Sequence, residues 1–380
     1  MSLGPNAAQA MSLLDPAILR GFEACRTNNA WPEREETWFS FRKGQEQHNR
    51  SDDPVGEKFF DMHCETGQSS VHRARFLDEL VRLAPERVAH FGKRLEDVQE
   101  DGDSVVLRFE DGTEARHTAV IGCDGVKSRV RAMVLGAQHP ATQPSFSGKY
   151  AYRGLIPMHR AVEMLGEEVS VNATMYMGDG GHMLTFPIEH GKTMNVVAFQ
   201  TKQDRQWEEG KEWVQTSDRE TMLRDFEGWV PCVKRILQMM ERTDLWALFD
   251  HPPAPTYQKG RVCILGDSAH ASSPHQGAGA GMAIEDALIM SRAMARAYTP
   301  ADVERAFDVF DRLRRPRSQR QVATAREAGE LYDLMLPGVM DDWEKVKQNL
   351  GTSRKWIWEH DLEADVREAE RLMDEGKAKL

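Results

Sequence analysis

Apolar residues fall along this chain in two patterns, and each predicts a different kind of element. Val262, Cys263, Ile264 and Leu265 form an unbroken run that stops at Gly266-Asp267. Such a run predicts a short strand buried on both faces of a parallel sheet. Residues 119–121 are a second run of this kind, followed by the turn dipeptide Asp124-Gly125, with Ser128 placed to cap a helix carrying Arg129 and Arg131. Between about 141 and 254 the texture changes: 150–157, 170–177, 182–187 and 193–200 predict strands of an antiparallel sheet. A helical stretch with Trp207, Trp213, Phe226 and Trp229 follows, its aromatics suited to packing.

Three further segments complete the organisation. Residues 98–109 cross a turn at Asp101-Gly102, and a second Asp-Gly at Asp111-Gly112 precedes the strand to Gly122, which is the pattern of a β-meander. Phe76, Leu77 and Leu80 make the apolar face of a short helix whose first turn carries Arg73 and Arg75. Beyond Thr299-Pro300 the chain is helical and charged, and the arginine-rich run 312–317 reads as a solvated helix face. Helices and strands alternating around an antiparallel block place the chain in the α/β class. The expected division is a discontinuous doubly wound domain over 1–140 and 255–300, an inserted antiparallel-sheet domain over 141–254, and a helical region over 301–380.

The segment 266–286 carries the most chemistry. Gly266 lets the chain turn, leaving Asp267 at the carboxyl end of its strand, where open α/β sheets place ligands and where a carboxylate can accept hydrogen bonds from a polyol. Gly277, Gly279 and Gly281 have no Cβ, so a flat ring or a phosphate can approach their amides. A helix starting near Met282, with Glu285 and Asp286 in its first turn, offers free N–H groups to an electron-rich atom. His275 is a candidate general base in this loop, although a structural role suits it better.

A length of 380 residues allows a large core or two domains, and a net charge of −11 argues against nucleic-acid binding. A small molecule is the expected partner. No apolar run is long enough to span a bilayer. Five cysteines, widely spread and without C-x-x-C spacing, point to reduced thiols, no metal site and a cytoplasmic setting, with Cys123 and Cys263 as packing residues in apolar strands.

Gly266-Asp267, the run from Pro274 to Gly281 and Glu285-Asp286 together resemble the second FAD fingerprint of the single-component flavoprotein aromatic hydroxylases, the salicylate hydroxylase-like monooxygenases. Residues 119–131 resemble the Asp-Gly motif of that family, and 71–80 resemble its His-Arg-Ala stretch. The resemblance implies a glutathione reductase-like FAD domain in which Arg73, Asp124, Asp267, Pro274, Gly277, Gly279 and Ala280 meet the cofactor. It implies Arg153, in Tyr152-Arg-Gly-Leu-Ile-Pro157, as the catalytic residue next to the substrate, and it places Phe186 where many relatives have a tyrosine. The activity it implies is hydroxylation of a phenol or aromatic carboxylate, with NADH or NADPH and dioxygen, through a flavin hydroperoxide.

One part of the family pattern is missing. No G-x-G-x-x-G precedes a helix, and residues 1–10 resemble the segment that follows the first β-α-β unit in relatives, so that unit, roughly 30 to 45 residues, is expected to be absent. Two explanations compete: a chain start set at an internal methionine, or a shortened paralogue that binds no FAD and acts as a binding subunit.

Overall fold

In the computed structural model, which describes residues 1–49, 53–208 and 210–377, eight strands join in one sheet. Their order is Val214–Thr216, Asp244–Asp250, Ser145–Pro157, Thr193–Thr201, Gly181–Ile188, Thr174–Gly178, Thr37–Lys43 and Lys58–His63. Every neighbouring pair is antiparallel except Thr174–Gly178 with Thr37–Lys43. The four strands expected within 141–254 are present, with one correction: Ser170 ends a short helix, Glu167–Ser170, and the strand begins at Thr174.

Two strands of this sheet come from the amino-terminal side of the expected division. Thr37–Lys43 is buried at every position, including Arg42 and Lys43, so no alternation marks it as a strand. Arg42 pairs with Glu168 (2.8 Å) and Lys43 with Glu57 (2.8 Å).

One face of the sheet packs on the helix Pro231–Met239, with Phe226 and Trp229 wedged beneath it. These two aromatics are core residues, as expected. None of the four aromatics lies within a helix, contrary to the expected helical stretch: Phe226 follows the helix Arg219–Asp225, Trp229 makes a β-bridge with Gln45, and Trp207 and Trp213 pack on Phe146 (centroids 5.4 Å) and Phe249 (3.9 Å). Further along, Phe41, Met175 and Phe186 pack with Tyr332 and Leu350, from the long helix Pro300–Tyr332 and the helix Trp343–Thr352.

Val262–Ile264 runs parallel to Val120–Gly122 in a small second sheet, and Cys263 is buried in a core that includes Ile289, Phe307 and Phe310. The companion strand departs from expectation. Ile121 is 38% exposed, and Cys123, just past the strand, is exposed rather than a packing residue; among the described residues that strand is the edge of its sheet. Leu77 departs likewise: on the helix Arg73–Leu83 only Phe76 is buried, and Leu77 faces solvent. The meander is present as Leu95–Asp101, Ser104–Phe109 and Glu114–His117.

The helical carboxyl region follows as Pro300–Tyr332 and three shorter helices, with 378–380 outside the described residues. Thr299 and Asp302 form a capping box at its start. Among the described residues no helix is long and apolar enough to cross a membrane.

Candidate functional site

The strand Val262–Ile264 delivers the chain to Gly266, which turns at φ 65°, a conformation open to glycine but strained for other residues. Asp267 then opens a one-turn helix, exposed at the edge of a cavity of about 340 Å³. Pro274, Gly277, Gly279 and Ala280 line the same cavity. Gly277 is left-handed at φ 65°, and a Cβ there would lie 3.4 Å from Trp38.

The following helix, Gly279–Met294, begins three residues before Met282, and its cap residue Ala278 supplies no side-chain hydrogen bond. The first amides of that helix, at Gly279 and Ala280, are therefore left for a ligand in the cavity. Gly281 serves another purpose. A Cβ there would meet Asn6 Nδ2 at 3.1 Å and Ala7 Cβ at 3.4 Å, so its bareness lets the helix Pro5–Leu14 pack closely.

The earlier helix start also moves Glu285 and Asp286 out of the first turn and into the interior, where both are fully buried. Arg314 bridges them, with Nη2 at 2.8 Å from Glu285 Oε2 and Nε at 2.8 Å from Asp286 Oδ1. Arg317 donates to Glu285 at 2.7 Å, and His270 meets Asp286 at 2.5 Å. The arginine run is therefore not a solvated face: Arg314 and Arg317 are buried because their partners sit about one long helix away in sequence. Burial acts to raise the Asp286 carboxyl, but His270 and Arg314 outweigh it and hold it down to about 2.

The opposite wall is the large sheet. Arg153 pairs in register with Val197, Val197 with Leu184, and Leu184 with Met175, and all four residues line the cavity. The Arg153 guanidinium lies 5.1 Å from the Trp246 ring, on a side chain that stays partly open to solvent at the cavity wall. Phe186 packs edge-on against Phe39 (6.4 Å) in the same wall.

Arg73 and Asp124 are not among the residues lining this cavity. Arg73 is exposed at the first turn of its helix. Asp124 accepts from Ser128 Oγ (2.6 Å) and from the amides of Arg129 (2.7 Å) and Val130 (3.1 Å), so its carboxylate caps the helix Arg129–Leu135 together with Ser128. Arg131 on that helix is fully buried and donates to the carbonyls of Ala141, Pro252, Ser268 and Ala269. It fixes the turn directly after Asp267, a role with no sequence signal beyond its place in the motif.

Behind the cavity lies a cluster that sequence patterns did not disclose. Asp333, fully buried, binds Lys149 Nζ, accepts from Thr201 Oγ1 at 2.7 Å and meets His182 Nδ1 at 2.6 Å. The His182 ring stacks on Phe199 (4.4 Å) and lies 5.2 Å from His275. His275 is buried with Nδ1 at 2.9 Å from Ser273 Oγ, and burial, aided by His182 and Lys149, drives its pKa well below the usual imidazole range. A ring held neutral this firmly supports the structural role over the general base.

Both histidines resist protonation in the fold, His182 because burial outweighs the neighbouring carboxylate. Unfolded histidines protonate below about pH 6.5 while these remain neutral, so their contribution to stability is complete above that pH and declines as pH falls. Urea unfolding is expected to show lower stability at pH 5.5 than at pH 7.5. Equal stability at the two values would contradict it.

The residues present fit the ring end of FAD: uncapped amides and a glycine without steric bulk on one side, an apolar sheet on the other, and a carboxylate at the rim. A family model described as an FAD binding domain matches residues 39–325. The chain belongs to this family. It is 42% identical over 379 residues to the 6-methylsalicylate 1-monooxygenase of Aspergillus terreus, covering 98% of this chain and 82% of that protein. It is 38% identical to a salicylate hydroxylase of Pseudomonas putida, covering 97% and 85%. A solved structure of a salicylate hydroxylase in complex with its substrate superposes with a TM-score of 0.88 at 35% identity, covering 97% of this chain and 90% of that one. Within the FAD-binding family the chain is thus of the FAD-dependent monooxygenase kind, an enzyme with FAD as its cofactor, and the expected α/β fold is the one it adopts.

Proposed function

We propose that the protein hydroxylates a phenol or aromatic carboxylate, with NADH or NADPH and dioxygen as co-substrates. The observation that carries this is the meeting, around one cavity, of the loop Pro274–Ala280, Asp267 and Arg153. Similarity to salicylate and 6-methylsalicylate hydroxylases supports the substrate class.

Bound FAD supplies the redox chemistry, taking electrons from the nicotinamide and activating dioxygen so that one oxygen atom enters the ring and the other leaves as water. The chain supplies the setting. Asp267 would accept hydrogen bonds from the polyol tail of bound FAD, and the amides of Gly279 and Ala280 would stabilise negative charge on its ring system. Leu184, Met175 and Phe186 exclude water from the reacting atoms. Arg153 places positive charge beside those atoms. Phe186 has no hydroxyl, so no proton comes from that position.

In the FAD-loaded protein, an aromatic substrate should stimulate NAD(P)H oxidation with matching oxygen uptake and a hydroxylated product. Arg153→Ala should lower kcat/KM about 10- to 100-fold, the size expected for a charged hydrogen-bonding group. A protein that holds FAD but oxidises nicotinamide no faster with any aromatic compound would overturn the function; a normal Arg153→Ala would remove only that residue's role.

A further inference from the structure

We propose that Arg354 is the anchor for the carboxylate of an aromatic acid substrate, which makes the enzyme selective for acids over plain phenols. This rests on the hydroxylase function proposed above and goes beyond it by naming the recognising residue.

Arg354 lines the cavity yet is only 3% exposed. Its Nη2 donates to the His275 carbonyl (3.1 Å) and to Tyr332 Oη (2.6 Å), while Nη1 meets only the Met62 sulfur (3.4 Å). The Nε–H is buried and has no partner. Among the described residues no carboxylate forms an ion pair with it, in contrast to buried Arg314, which has both Glu285 and Asp286. A buried guanidinium without a counter-ion is costly, and the cost falls away when an anion enters.

Two more buried donors without partners, Gln276 Nε2 and Asn195 Nδ2, belong to residues lining the same cavity. A surplus of donors next to an unneutralised cation suits an anion with several acceptor oxygens. Arg153 does not compete for this role: it stands on Ser145–Pro157, third in the sheet, whereas Arg354 reaches Met62 on Lys58–His63, eighth in the sheet. The two cations thus reach the cavity from different parts of the fold, and only Arg354 combines near-complete burial with an unpartnered donor.

The test compares binding of 2-hydroxybenzoate and of phenol to the FAD-loaded protein, read from the change in flavin absorbance and independent of turnover. The wild-type protein should bind the acid at least tenfold more tightly than phenol. Arg354→Gln should weaken the acid about 10- to 100-fold and leave phenol within twofold, with Arg354→Lys recovering part of the loss. Equal affinity of the wild-type protein for both ligands would overturn the proposal without any variant. So would an Arg354→Gln protein that weakens both ligands alike, or neither, and so would a selective loss of the acid in Arg153→Gln instead. If neither ligand perturbs the wild-type flavin, this inference falls, while the hydroxylase function is judged separately by whether any aromatic compound stimulates NAD(P)H oxidation.

Discussion

Asp333→Ala lowers the unfolding free energy by about 3 to 5 kcal/mol, the usual cost of removing one partner of a buried ion pair. Asp333 has no exposure to solvent and holds Lys149, His182 and Thr201 together. Without it the Lys149 ammonium, 2% exposed at its side chain, keeps the neutral Thr201 Oγ1 (2.6 Å) and, as its one remaining carboxylate among the described residues, Glu330, 3.4 Å away and itself shared with Arg205. Burial acts to raise the Asp333 carboxyl, but His182 and Lys149 outweigh it and hold it below the usual carboxylate range. The stability it contributes is therefore present above about pH 4 and is lost as pH falls through its depressed pKa. Urea unfolding of Asp333→Ala measures the effect, and the double variant with Lys149→Met should regain part of the loss because no uncompensated charge remains. A single variant within 1 kcal/mol of the parent would show that the cluster is not a stabilising unit.

Arg314→Ala is expected to cost a similar amount, about 3 to 5 kcal/mol, and to do so behind the loop proposed to hold the flavin. Its guanidinium holds Glu285 and Asp286, which are buried in the helix whose first amides line the cavity. Removing it leaves two carboxylates in the interior with Arg317 and His270 as their remaining partners. The helix must shift to rewet them, and the amides at Gly279 and Ala280 shift with it. Both unfolding free energy and the fraction of protein carrying FAD after dialysis should fall. Arg312→Ala, two residues earlier at an exposed position on the same helix, should change stability by less than about 0.5 kcal/mol. Equal behaviour of the two variants would return the arginine run to the role of a solvated face.

That contrast also marks where sequence patterns stop being informative. The loop around Gly277 was legible because positive φ and close approach demand glycine, a local constraint written in residue type. The strands between 141 and 254 were legible from a change of texture, short apolar runs set between turn residues. Thr37–Lys43 was not, since a strand covered on both faces shows no alternation, and its Arg42 and Lys43 mimic a surface. The arginines at 314 and 317 were misjudged for a related reason: charge runs are usually solvated, and only the fold reveals that Glu285 and Asp286 lie against them. Asp124 turned out to be a helix cap, a function its short spacing to Ser128 already permitted. Asp333 and Arg354 have no motif at all, because their meaning comes from partners far away in the chain, Lys149 for one and the His275 carbonyl for the other.

The cavity draws Phe39 from early in the chain and Arg354 from late in it, with the loop Pro274–Ala280 between them. On the ribosome, then, the pocket's walls cannot meet until translation has passed residue 354. No contiguous stretch of sequence makes the pocket alone: it exists only when the early strand, the central loop and the late arginine are brought together.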